Sequence, residues 1–206
     1  MKKLFAVFLA LMLALGCMTA VAEQSAYTGY THPVLGYSLN YPSEWLAIDT
    51  ETLPVLMALA QQGGMEGIDV SVLGNLEEQI VSSNMTMFMD VNTGTNINIG
   101  AQDIGVEVTD EIFLSAMMPM LKAQYEQMFA NAVFTSEGET LNLGTVTANY
   151  MALNYVINGQ TMTGEQFFVL DGTMMYAIAC TYNAGLAGTD VVSHMINLVS
   201  SFTLPQ

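Results

Sequence analysis

The stretch TVTANYMALNYVINGQTMTGEQFFVLDGTMMYAIACTY, Thr145 to Tyr182, decides the fold. Two turn dipeptides, Asn158-Gly159 and Asp171-Gly172, divide it into three segments. Pairs of this kind favour type I′ hairpin turns, in which both central residues take positive φ, a conformation that suits the right-handed twist of the flanking strands. Within the segments the large apolar side chains alternate. Met151, Leu153, Tyr155 and Ile157 share one parity, Phe168 and Leu170 another, and Met174, Tyr176, Ile178 and Cys180 a third. A period of two is that of a strand with one face in the core. The spacing predicts a three-stranded antiparallel meander.

Upstream, TMFMDVNTGTNINIG, Thr86 to Gly100, reads as a further hairpin around Asn92-Thr93-Gly94, with Met85, Met87 and Met89 on one face. Between the hairpin systems, TDEIFLSAMMPMLKAQYEQMFANA predicts a long helix, with Asp110 and Glu111 at its positive N-terminal end. Leu114, Met117, Leu121, Tyr125 and Met128 form its expected apolar stripe, and Pro119 should kink or divide it. A last helix follows Gly188-Thr189. Val192, Met195, Ile196, Val199 and Phe202 face the core there, and Ser193, His194, Asn197 and Ser200 face outward. Leu53 to Gln61 and Gly74 to Val81 read as shorter helices separated by Gly63-Gly64. The order of elements predicts an α+β fold, an antiparallel β-sheet flanked by helices in an α-β-α sandwich.

Ahead of these lies GYSLNYPSEW, Gly36 to Trp45, one short strand stopped by Pro42 and followed by the chain's only tryptophan. Tyr37, Leu39 and Tyr41 alternate on one side, and Trp45 is placed to fold back over the edge of the core. The unit reads as a corner of the fold. The chain resembles the PsbP-like superfamily of extracytoplasmic and accessory domains. The residues that carry the resemblance are Gly36-Tyr37-Ser38-Leu39, Tyr41-Pro42 and Trp45, then Asn96-Ile97-Asn98-Ile99, then Ile196 to Phe202. It extends from about Tyr27 onward in element order. The resemblance implies the α-β-α sandwich and a non-enzymatic role in binding another macromolecule. The superfamily spans photosystem II accessory subunits, a Ran-binding nuclear-import factor, effector chaperones and envelope lipoproteins. Its photosystem members dock largely through lysines, which are scarce here, so none of their functional residues carries over.

The N-terminal residues MKKLFAVFLALMLALGCMTAVAEQ place Lys2 and Lys3 before an apolar run from Leu4 to Leu15, and small residues follow, ending Ala20-Val21-Ala22. This pattern predicts a secretory leader over residues 1–22, cleaved to begin the mature chain at Glu23. Gly16-Cys17 offers the alternative of a lipid anchor at Cys17. The remaining 184 residues, 206 minus 22, suit a single domain, expected over 23–206, in a secreted or envelope-attached protein.

Of the 206 residues 19 are acidic, and Lys122 is the sole Lys or Arg beyond Lys3. Such a surface repels nucleic-acid phosphates and anionic headgroups, and it lacks the arginine forks on which phosphate clamps rely. Basic proteins, cations or neutral ligands are the partners that remain. Cys180 is unpaired once the leader is gone and lies in an apolar strand.

The two histidines, His32 and His194, stand outside any HExxH, GxSxG, SxxK, P-loop or CxxC pattern. Ser193 adjoins His194, but neighbours on a helix point in different directions. The acid pairs Glu77-Glu78, Asp110-Glu111 and Glu137 with Glu139 could supply two glycosidase carboxylates, although solvated or helix-capping roles fit their positions. Asp90-x-Asn92 before Gly94 superficially matches a calcium loop. Its glycine falls one place early for an EF-hand, which favours a hairpin turn. Met85-x-Met87-x-Met89 and Met117-x-x-Met120 have spacings that soft Cu(I) could use, and equally those of core packing. No residue is assigned a catalytic, cofactor or metal role. The reading is a non-enzymatic binding module for a protein partner, with a soft-metal or calcium binder and an undetected hydrolase as alternatives.

Overall fold

The computed structural model describes residues 27–61, 80–129, 131–157 and 159–205. The chain folds in the order β1 (Tyr27–Thr31), β2 (Ser38–Pro42), β3 (Leu46–Ile48), α1 (Leu53–Gln61), β4 (Thr86–Met89) and β5 (Asn96–Asp103). A long helix, α2, follows, built from Asp110–Ile112, a π-helical turn Phe113–Met117 and Met118–Met128. Then come β6 (Val133–Asn142), β7 (Thr147–Ile157), β8 (Gln160–Asp171), β9 (Met174–Asn183) and α3 (Asp190–Ser200). Seven strands form one antiparallel sheet in the order β3-β4-β5-β9-β8-β7-β6, and β1 pairs with β2 in a separate ribbon.

Alternation sorts the side chains onto two faces. Phe167, Val169, Ile178, Cys180, Ile97 and Ile99 face a core closed by α3, Phe202 and the β1-β2 ribbon, which contributes Tyr37 and Leu39. On the opposite face Met151, Leu153, Tyr155, Phe168 and Met175 pack under α2 through Phe113, Leu121, Tyr125 and Phe129. Phe129 stacks on Tyr155 at 4.2 Å between ring centroids. A third cluster joins Met85, Met87 and Met89 to Ile48, Leu53 of α1 and Ile80. The architecture is therefore an α+β sandwich, helices on both sides of an antiparallel sheet.

The meander has four strands. β6 joins β7 to β9 as the sheet's edge, and its register slips between Phe134 and Ser136 and again between Glu137 and Glu139. These bulges, with Gly138 at φ 105, break the alternation by which the strand would be recognised. The two hairpin turns also differ. Ile157 pairs with Gln160, which leaves residues 158 and 159 as the connection that the Asn158-Gly159 signal anticipates, although Asn158 lies outside the described residues. Asp171, by contrast, pairs with Met174, so the central residues are Gly172 and Thr173. Only Gly172 takes positive φ, at 60°, which is the φ pattern of a type II′ turn and not of the expected type I′.

In α2 the π turn adds a residue ahead of Pro119, whose missing N–H would leave a gap in a regular ladder. The buried residues therefore run Phe113, Met118, Leu121 and Tyr125, with a first step of five, and Leu114 and Met117 are only partly buried. Met128, placed in the stripe by a regular 3.6-residue period, is exposed. In α3, Val192, Met195 and Val199 are buried as expected. Leu198 is buried in place of Ile196, which is 53 % exposed. At 100° per residue Leu198 sits 60° to one side of Met195, whereas Ile196 sits 100° to the other, beyond Val192 and Val199 at 60° and 40°, at the rim of the buried face.

A Cβ added at Gly172 would meet open space, so the cost of substituting this residue is purely that of the backbone. Gly172→Ala is expected to lower unfolding free energy by about 1 to 2 kcal/mol in urea denaturation, with an unchanged m-value.

Candidate functional site

A group of buried polar side chains, His32, Asp49 and Thr86, lies where the β1-β2 ribbon meets the start of β4. The loop from His32 to Tyr37 is closed by main-chain bonds between His32 N–H and the Tyr37 carbonyl and between Gly36 N–H and the His32 carbonyl. His32 is buried inside it, and its Nδ1 accepts the N–H groups of Val34 and Leu35 at 3.1 and 3.0 Å. With Nδ1 an acceptor, Nε2 carries the proton and donates to the carbonyl of Asn84 at 3.0 Å. Asn84 itself takes φ 46. Burial pushes the His32 pKa down against the opposing effects of the Asn84 carbonyl and the Asp49 charge, so the ring is neutral at pH 7.

Next to it, the Tyr30 hydroxyl donates to Asp49 Oδ2 at 2.8 Å and lies 3.0 Å from Thr86 Oγ1. Asp49 Oδ1 accepts the N–H groups of Glu51 and Thr52, capping the entry to α1. Burial pushes the Asp49 carboxyl up, but the bonds from Thr52, Tyr30 and Glu51 outweigh it and hold the group below its ordinary value. The tyrosine in turn is held well above its ordinary value, chiefly by burial. A histidine, an aspartate and a tyrosine thus come together, but both imidazole nitrogens and both carboxylate oxygens are engaged in holding chain segments. As chemistry, this is a clamp.

The other residues singled out in the sequence are spread over the molecule. Trp45 is buried, with its main-chain N–H bonded to the Pro42 carbonyl, at the corner expected of it. Asp90 binds the N–H of Asn92 and the hydroxyl of Thr93, and its main chain closes the β4-β5 turn with Thr95 and Gly94. The residues that superficially matched a calcium loop thus form a braced hairpin. Asp110 accepts from Asn149 Nδ2 at 2.8 Å. Glu137 and Glu139 part company: the bulge at Gly138 sends Glu137 toward α2, where Lys122 pairs with it at 2.6 Å, and Glu139 to the opposite face of the sheet. Glu77 and Glu78 lie outside the described residues, as do Cys17 and the leader.

His194 Nδ1 lies 3.6 Å from Glu44 Oε1, and its ring meets the edge of Tyr27. Ser193 Oγ donates instead to the Thr189 carbonyl. Cys180 is fully buried, and burial pushes its thiol well up, away from the reactive thiolate. The thioethers of Met85, Met87 and Met89 are enclosed by aliphatic side chains, whereas Met117 is partly buried and Met120 is 65 % exposed. Among the described residues no three His, Cys, Asp or Glu side chains lie close enough together to hold a metal ion.

Two further acids are engaged, each with a local signal of its own. Asp49 precedes α1 as an N-cap, a role for which Asp49-x-x-Thr52 before an apolar run is the signal. Glu165 shares the inward parity of Phe167 and Val169 on β8 and accepts the Tyr182 hydroxyl at 2.8 Å. An acid at an inward parity is the sign that would have found it.

Because the folded state resists protonation of His32, whose ordinary pKa is 6.5, the unfolded chain binds more protons below that value. The stability that His32 contributes is complete above pH 6.5 and is lost as the pH falls below it, whereas that of Asp49 is lost only below its ordinary 3.8. The thermal midpoint is expected to fall between about pH 7 and 5, and His32→Gln should flatten that limb of the profile. Calorimetry across this range checks it.

Neither the protein-family models nor the curated proteins give a match to this sequence. Among solved structures, the chain is similar to cyanobacterial PsbP (CyanoP) from Synechocystis sp. PCC 6803, with 14 % identity, a TM-score of 0.52, and coverage of 92 % of this chain and 98 % of that one. It is similar also to LpqN of Mycobacterium tuberculosis, a protein involved in cell envelope biogenesis, with 10 % identity, a TM-score of 0.52, and coverage of 89 % and 93 %. A structure from Bacteroides thetaiotaomicron matches at 14 % identity and a TM-score of 0.49 over 86 % of this chain, which spans only 48 % of that protein. The first two likenesses run nearly the length of both partners: the fold is PsbP-like.

Proposed function

We propose that this protein is a secreted or envelope-attached, non-enzymatic binding module that recognises a basic protein partner through its surface. The reading is carried by one observation: the buried groups suited to catalysis, His32, Asp49 and Cys180, are committed to internal hydrogen bonds or sealed in the core. What remains for function is the exterior. There, acids outnumber the one described cation, Lys122, which is itself paired with Glu137.

The leader-like N-terminus supports an extracytoplasmic location. Among the described residues no helix is long and apolar enough to cross a membrane. The solved structures of similar fold include an envelope-biogenesis protein, which is in keeping with such a location. The charge balance favours a cationic partner and disfavours nucleic acid and anionic lipid.

Amine-directed crosslinking would reach little beyond Lys122, so the test places a photo-reactive residue in turn at an exposed position on each side of the sheet, Met120 on α2 and Val156 on β7. Irradiation with native envelope and secreted fractions is expected to capture one dominant protein whose yield falls with added salt. Capture no greater than that of a charge-matched control protein would contradict the proposal.

A further inference from the structure

The sheet face beneath α3 is covered over only part of its width. Toward β6 the same face stays open: Val133 and Val156, both on it by register, are 62 % and 47 % exposed. Between them and the covered core lie Tyr150 and Glu165, both partly exposed. Tyr150 packs on Phe167 with ring centroids 4.9 Å apart. Glu165 stands beside the Tyr150 hydroxyl, which its charge, after burial, holds in the protonated form, and it accepts the hydroxyl of Tyr182 at 2.8 Å. Glu139 pairs across from Tyr150, with Ser136 donating to its Oε1 at 3.0 Å.

We infer that this open half-face is a docking surface for an extended, lysine- or arginine-bearing segment of a partner protein, with Glu165 as the central anchor. The inference rests on the binding-module reading and supplies its location. Charge complementarity selects the occupant. Two carboxylates held by neutral hydroxyls flank an aromatic ridge, and Lys122, the one Lys or Arg among the described residues, is turned toward Glu137 on the opposite face. Cationic side chains gain from a carboxylate and an aromatic face together. Glu139 and Glu165 lie two strands apart and two residues offset along them, about 12 Å, a spacing that two basic side chains of one segment can reach. A second copy of this chain, with formal net charge -16, would bring like charge and is disfavoured as occupant.

The test uses the full mature chain and a capped hexapeptide alternating lysine with valine, followed by amide chemical-shift mapping at physiological salt. Shifts are expected to centre on Tyr150, Val156 and Glu165. Glu165→Gln, which keeps an acceptor for Tyr182 and so preserves the fold, should weaken binding about fivefold, whereas Glu126→Gln on α2 should leave it unchanged. Shifts scattered over the acidic surface, or equal effects of the two substitutions, would overturn the inference. A photo-reactive residue at position 156, compared with one at 120, separates this failure from that of the broader reading. Capture of the native partner at 120 alone discards the docking face but leaves a binding module, and capture at neither discards both.

Discussion

A carboxylate without a cation nearby must be held by neutral donors, and this constraint shapes the protein from corner to edge. With Lys122 as the one described cation, the structured acids take their hydrogen bonds from main-chain N–H groups, hydroxyls and amides. Asp49 takes them from Glu51, Thr52 and Tyr30, and Asp90 from Asn92 and Thr93. Asp103 takes one from Gly105, Asp110 from Asn149, and Glu165 from Tyr182. Such bonds are directional and short in range, so each acid sits where the chain turns, caps a helix or meets a tyrosine. They fix local geometry without cancelling charge, and the molecule's exterior stays negative.

That division of labour separates stability from function. Stability comes from two apolar layers on either side of the sheet and from the methionine cluster under α1. The β1-β2 ribbon is fastened to this frame by His32, whose two ring nitrogens tie its own loop to Asn84 just before β4. Uncancelled surface charge has little to offer the fold, but it is available to a partner of opposite sign.

The parts of the fold legible in the sequence are those whose signals are local. The hairpin of β4 and β5, helix α1 at Leu53–Gln61 and the alternation of β7, β8 and β9 each follow from period and turn chemistry. What escaped depends on irregularity or on pairing. β6 carries two bulges and mostly polar side chains, so its sequence shows no apolar alternation even though its exposure alternates. β1 and β3 are short: β1 is held by β2 across the loop from His32 to Tyr37, and β3 by β4, which is distant in sequence. The π turn shifted the buried stripe of α2 by one residue, which no fixed helical period anticipates. The separation of Glu137 from Glu139 comes from the β6 bulge at Gly138, since two residues apart on a regular strand would have shared a face. The candidate site was least legible: a capping pattern at Asp49 and an inward parity at Glu165 mark the two acids, but their partners Tyr30 and Tyr182 reach them only across the fold.

If neutral donors hold the acids and the surface charge is uncompensated, salt should act on this protein only by relieving repulsion. The most direct measurement is the urea unfolding free energy at neutral pH as sodium chloride rises from about 20 to about 300 mM, a range over which exposed charges become screened. The expected result is a rise in stability, with the m-value constant. A fall would mean that ion pairs contribute to the folded state, and would contradict the account.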